Sequence, residues 1–409
     1  VNELMGQSNK NQKWTMLCLM WLTMFVSYLD RVNIAVAGPT MMHDLNMSPW
    51  IFGSVLSSFT FGYALIQIPG GYLADKFGAK RMMLIAIICW SIFTGLTGVV
   101  SSVSLLIAVR VLFGIGEGIA LGAQFKLVAD YFSSEERSSA NAFFLTALAI
   151  GPAFVGPIAA WIIGLTGWRE LFLYFTIPGL VMAVLLFKFL PEKPVAGVVH
   201  TEILNKHGSK AGWKDIVTYP TVWLLFFTYM FFNIAFWGFL LWIPSYLSLA
   251  RHIELKTMGF YASMPYIFGF FGMIILGWLG NKIMKHQTSL VAVGYLMTGF
   301  ALYVAFTQES ALGCLAALSC AGFFLYGGFG PFWATAQDQI PDELRATFSG
   351  FVNFGGQIGG FFAPIVVGAI VSFTGSFWGG FLFLISGLIL AAGMLFILQI
   401  LSARSRILR

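Results

Sequence analysis

Asp30 and Arg31 stand side by side in an otherwise uncharged apolar run from Trp14 to Thr40, with Tyr28 and Asn33 beside them. A second run, Ser104 to Tyr131, holds Arg110 and Glu117. A charge at membrane depth costs about 3 kcal/mol even on lenient insertion scales, and it usually marks a path for ions or substrate. Arg110 and Glu117 are two helical turns apart, so they share a face and lie about 10 Å apart along the axis. By rise per residue, Asp30 and Glu117 lie about 15 and about 18 Å from the outer ends of their helices. In a hydrocarbon core about 30 Å thick, both fall near mid-depth, where they can face one cavity. Burial favours a neutral carboxyl and an adjacent guanidinium favours the ionised form, so a carboxylate between the two can release its proton when helices rearrange. The alternative is that the four charges pair off merely to be tolerated. Buried pairs gain little over apolar packing, which makes folding alone a poor reason for four of them.

The elements that must position these groups are membrane helices. Hydrophobic residues make up 58% of the 409 positions and charged ones only 10%, against about a quarter charged in soluble domains. Runs of about 20 apolar residues give twelve spans, at 14–40, 49–73, 82–101, 104–131, 138–163, 170–190, 219–247, 257–280, 288–306, 311–337, 346–372 and 377–401. The expected fold is all-α and polytopic, in two six-helix halves: 14–190 and 219–401, with a linker at 191–218 and terminal segments 1–13 and 402–409. The basic residues outside the spans gather on one side, leaving Arg169, Arg251 and Lys256 on the other. By the positive-inside rule, both termini and the linker face the cytoplasm. The first run is too long for the core of a cleaved secretory signal.

An internal repeat supports the halves. Gly70-Gly71-Tyr72-Leu73-Ala74-Asp75-Lys76 after the second span recurs as Gly277-Trp278-Leu279-Gly280-Asn281-Lys282 after the eighth. Glu136-Arg137 recurs as Glu343-Leu344-Arg345. Such parallel halves are a transporter signature, with the substrate site between them at the midplane.

Other chemistries are weakly supported. Cys18, Cys89, Cys314 and Cys320 lie in apolar stretches without CxxC spacing and read as small core hydrophobes. The histidines fall in polar connections, so neither a metal nor any other cofactor is expected. The net charge of +6 reflects residues flanking helices, not a nucleic-acid-binding patch. Gly114, Gly116, Gly118 and Gly122 follow no strand and read as helix-packing positions rather than a nucleotide loop. Lys126 and Asp130, four apart, read as a solvated pair.

The stretch from Gly71 to Arg81 resembles the hallmark loop of the major facilitator superfamily. Tyr28-Leu29-Asp30-Arg31-Val32-Asn33, Tyr63 through Gly71, Arg110 through Gly118, Trp242-Ile243-Pro244-Ser245-Tyr246 and Gly330-Pro331-Phe332-Trp333 are similar to its anion:cation symporter branch. That branch includes bacterial sugar-acid importers and vesicular glutamate and sialic acid carriers. Asn353 matches one of two asparagines usual in the eleventh helix, and Gln357 replaces the second. The resemblance implies proton coupling at Asp30 and Glu117 and a substrate contact at Arg31; Arg110, the second buried guanidinium, is read from the residues themselves as a further group to hold the anion. Tyr28, Asn33, Tyr63, Asn233, Asn353 and Gln357 are the uncharged candidates for lining the cavity, though polar residues in spans also simply join helices. Asp75, Arg81, Glu136 and Arg137, with Glu343 and Arg345, are expected to lock the halves on the cytoplasmic side.

The expectation is therefore a monomeric secondary transporter, not an enzyme. It imports a small organic anion with protons across a bacterial inner membrane, surrounded by lipid. Two rivals stand beside it. Gly151-Pro152 through Gly156-Pro157 faintly resembles an antiporter motif and suggests proton-coupled efflux, although Arg31 argues against cationic drugs. A ligand-binding receptor that moves nothing is the other.

Overall fold

A computed structural model describes residues 2–132, 134–190, 218–283, 286–340 and 345–407. They form helices without a strand among the described residues. Twelve segments are long and apolar enough to cross a membrane, and the chain is an integral membrane protein. The expected linker lies, Thr218 apart, outside the described residues.

Contacts divide the chain into two compact units. The first comprises Val1–Ala37 and Ser58–Gly208; the second comprises Gly38–Ser57 and Ser209–Arg409. Helix α1 spans Asn2–Asp44 and α2 Pro49–Phe77. The end of α1 and the start of α2 thus belong with the second unit.

The first unit continues with α3 (Ala79–Val99), α4 (Val103–Tyr131), α5 (Ser134–Leu145), α6 (Ala147–Thr166) and α7 (Trp168–Phe189). Ser102 opens α4 by accepting the Leu105 N–H at 3.3 Å, satisfying one orphan donor of the first turn. Arg169 ties the start of α7 to the end of α3, donating to the carbonyls of Gly98 (3.2 Å) and Val100 (2.6 Å). The fifth span, expected as one helix, is interrupted at Thr146, whose hydroxyl accepts from Trp21 Nε1 at 2.9 Å.

Glycines set the spacing of α2 and α4. A Cβ at Gly114 would lie 2.1 Å from the Phe59 carbonyl oxygen, and one at Gly62 2.1 Å from that of Val111. Gly118 and Gly122 meet Tyr63 and Gly71 in the same way, and Gly116 faces Cys89 and Trp90 of α3, so the packing reading of this series holds, with α2 the partner of three positions and α3 of the fourth. Small residues are how membrane helices approach closely when no hydrophobic effect drives them together.

The second unit contains α8 (Pro220–Ser245), a π-helical turn (Tyr246–Ala250), α9 (Leu255–Lys282), α10 (Gln287–Thr307), α11 (Ala311–Gly327), α12 (Phe329–Gln337), α13 (Arg345–Thr374) and α14 (Trp378–Ile407). Its core is aromatic, with Phe232 stacked on Tyr295 at 5.0 Å and Phe236 edge-on to Tyr326 at 5.2 Å. Among the described residues every buried acidic or basic side chain lies in the first unit. Large apolar side chains such as Trp161, Leu165 and Phe187 are exposed, as lipid-facing surface requires. Cys18 and Cys320 are exposed as well, on the surface of their spans and not in the core.

Candidate functional site

Four ionisable residues converge inside the first unit. Asp30 and Arg110 are 1% exposed, Glu117 2% and Arg31 8%. α1 supplies Asp30 and Arg31, and α4 supplies Arg110 and Glu117. The close α2–α4 contact brings Phe59 and Tyr63 against them. Arg31 Nε donates to Glu117 Oε1 at 3.0 Å. Ser27 Oγ donates to the same oxygen from one turn earlier on α1.

The Arg31 guanidinium is ringed by aromatic faces, with its carbon 4.8 Å from the Tyr28 and Tyr63 rings and 5.1 Å from Phe59. Arg110 lies 4.4 Å from the Phe113 ring and 5.6 Å from Phe59, so Phe59 serves both cations. Aromatic faces offset part of a buried cation's lost hydration, each by about 0.5–2 kcal/mol. Gly151 on α6 packs against Tyr28, which gives the glycine of the antiporter-like motif a packing role.

Asp30 is held differently. Glu117 and Arg110 are the charges that act on it, and Thr94 faces it from α3. Neither of its carboxylate oxygens has a hydrogen-bond partner among the described residues. Asn33 is fully buried, and both polar atoms of its amide are likewise unpartnered. With all four residues ionised, the charges of the cluster cancel. One added anion and one added proton together would leave that net charge unchanged.

The remaining candidates fall elsewhere. Asn233, in the second unit, donates its amide to the Tyr229 carbonyl at 2.8 Å and faces Gly356 of α13. Asn353 and Gln357 are half-buried on α13. Asp75 accepts from Lys126 Nζ at 2.8 Å; the ammonium expected to pair with Asp130 on its own helix reaches across to α2. Glu136 accepts from Lys13 Nζ at 2.8 Å. Arg81 is exposed. Glu343 and the side chains of Arg137 and Arg345 lie outside the described residues.

Ser27, Phe59, Thr94 and Phe113 are members of the cluster that sequence reasoning missed. Ser27 and Phe59 each sit four residues before a recognised member, Arg31 and Tyr63, and this spacing puts them on the same helix face. Thr94 carries no such signal, because nothing in the apolar sequence of α3 reveals which face turns inward.

Residues 20–364 match the family described as the Major Facilitator Superfamily. A hexuronate transporter of Bacillus subtilis is 31% identical over 386 residues, covering 90% of each chain. A probable sulfoacetate transporter of Cupriavidus necator is also 31% identical, over 93% of this chain and 91% of its own. A probable galactarate/D-glucarate transporter of Bacillus subtilis is 29% identical, over 91% and 88%. Among solved structures, an inward-facing, unoccupied bacterial homologue of the human lysosomal transporter Spinster superposes with a TM-score of 0.82. It is 18% identical, and the match covers 95% of this chain and 97% of that one.

Proposed function

The chain belongs to the Major Facilitator Superfamily, a family of transporters and not enzymes, and from that premise we propose that it imports a small organic carboxylate by proton symport. The observation that carries this reading is the Arg31–Glu117 pair inside a ring of aromatic faces, with Asp30 buried beside it. An incoming carboxylate has the chemistry of Glu117 and competes with it for Arg31. Displaced from its cation, Glu117 becomes costly as an anion in this dry surround and takes a proton. Substrate adds one negative charge and the proton restores neutrality, so at least one proton accompanies each monoanion. Asp30, with Arg110 as its counter-charge, is the second proton carrier. Tyr28 and Tyr63 supply faces for Arg31 and hydroxyls for a polyhydroxylated acid, which the sugar-acid names of the relatives favour. Asn33, Asn233, Asn353 and Gln357 are proposed as further polar contacts.

Asp75, Arg81, Glu136, Arg137, Glu343 and Arg345 are proposed to lock the cytoplasmic side between transport steps, with Lys126 and Lys13 as partners that Asp75 and Glu136 exchange. The proposed setting is a monomer in a bacterial inner membrane, with both termini in the cytoplasm and two alternating six-helix halves. The test is uptake of labelled D-glucuronate and D-galactarate by proteoliposomes with an inward proton gradient. Accumulation above the outside concentration, abolished by collapsing the gradient, is the expected result. Uptake that merely equilibrates with the gradient intact defeats the reading.

A further inference from the structure

The end of the second unit where α8 finishes holds a cavity of about 600 Å³ that contains none of the four buried charges. Tyr246, Arg251, His252, Phe306, Ser376 and Phe377 form much of its wall. Three departures from regular backbone shape it. α8 ends in the π-helical turn, a feature frequent at functional sites. His252 is left-handed at φ 54, and Gly375 turns the chain into α14 at φ 67. A non-glycine residue in that region persists only where its surroundings hold it there.

Arg251 is fixed by three bonds. Its Nε donates to the Tyr246 hydroxyl at 2.7 Å, and Nη2 donates to the carbonyls of Ala305 (2.9 Å) and Phe306 (3.1 Å). These account for it as a cap on the last turn of α10. They do not account for Nη1, which takes no part in them. Nor do they explain the adjacent left-handed imidazole, or a lining that carries no carboxylate. The volume lies within the range of about 300–1,000 Å³ usual for small-molecule sites, where a few convergent polar groups sit in apolar walls.

We infer that this cavity is a second anion site, which takes a small organic carboxylate with its charge toward Arg251 and His252 and its carbon skeleton against Tyr246, Phe306 and Phe377. The aromatic walls fit a carbon skeleton better than a bare inorganic ion. A guanidinium already immobilised loses little freedom on binding. The choice of D-glucuronate as probe rests on the proposed function; the site itself does not.

Equilibrium dialysis of radiolabelled D-glucuronate against the full chain in lipid nanodiscs counts bound acid per chain. Wild type is expected to bind two and Arg31→Gln one. Ser376→Asp is the diagnostic change. Ser376 Oγ accepts the Trp378 N–H at 3.2 Å, and an aspartate keeps that bond while setting a negative charge in the cavity. This variant is expected to elute as folded protein and bind one acid, and the double variant Arg31→Gln/Ser376→Asp none. Two acids still bound by both Ser376→Asp and His252→Gln/Arg251→Gln overturn the inference. So does a wild type whose single bound acid vanishes with Arg31→Gln, or one that binds none. A single acid kept by Arg31→Gln and lost by Ser376→Asp upholds this site and overturns the Arg31 assignment instead.

Discussion

Replacing Glu117 by glutamine separates the two jobs assigned to it. The glutamine oxygen can still accept from Arg31 Nε, now 3.0 Å from the carboxylate, but it competes with substrate as a neutral group. Both bonds have the charged guanidinium as donor, so what the amide loses is the ion pair's Coulomb attraction. That is about 4 kcal/mol at about 4 Å and an effective dielectric of about 20, most of it offset by the desolvation that an ion pair costs. Taking about 1.4 kcal/mol as the net loss, the incoming carboxylate displaces a weaker partner and Kd should fall about tenfold. The Glu117 contribution to pH dependence should vanish too: wild-type Kd tightens as pH falls, because protonation does to Glu117 what the substitution does. Binding of D-glucuronate by dialysis across a pH series measures both effects. Proteoliposomes should show that Glu117→Gln exchanges preloaded for external substrate but no longer concentrates it with a proton gradient. Weaker binding in the variant, or undiminished accumulation, refutes the competition between Glu117 and substrate for Arg31.

Asp30→Asn should also abolish accumulation while exchange survives; a variant that still concentrates substrate removes Asp30 from the proton path. Tyr63→Phe keeps the ring 4.8 Å from Arg31 and loses only the hydroxyl's bond to substrate, about 0.5–1.5 kcal/mol, so KM should rise by about 2- to 12-fold. Tyr63→Ala removes the ring as well, worth a further ~0.5–2 kcal/mol, and should raise KM by a further factor of about 2 to 30 in uptake assays; equal effects of the two changes would deny the ring its role. Gly114→Leu drives a side chain into the Phe59 carbonyl 2.1 Å away, so size-exclusion chromatography should find little monodisperse protein, whereas a normal yield would show that α2 and α4 can separate.

The four buried charges were legible because an ionised residue in a long apolar run is rare and expensive. The run lengths made the twelve spans legible for the related reason that a bilayer demands them. Helix rotation was not legible. Spans such as α8 are apolar all round, so no stripe indicates an inward face, and Asn233 could not be aimed from sequence. The break between α11 and α12 falls in the local run Gly327-Gly328-Phe329-Gly330-Pro331, whose glycines and proline weaken a continuous helix. The break at Thr146, where Trp21 Nε1 reaches the hydroxyl, involves instead a distant contact that hydropathy does not encode. Lys126 shows the same limit: Asp130 is its neighbour by sequence, but α2 passes close enough to offer Asp75. The packing of residues 38–57 with the second unit depends on contacts far apart in the chain, which periodicity does not encode.

The central claim is that an anion and a proton pass the Asp30–Arg31–Arg110–Glu117 cluster together. Its most direct test records internal pH with a trapped dye in lightly buffered proteoliposomes, clamped at zero membrane potential, while D-glucuronate is added outside. The account predicts prompt internal acidification that Asp30→Asn/Glu117→Gln eliminates. Uptake of labelled glucuronate with no change in internal pH, or with alkalinisation, would contradict it.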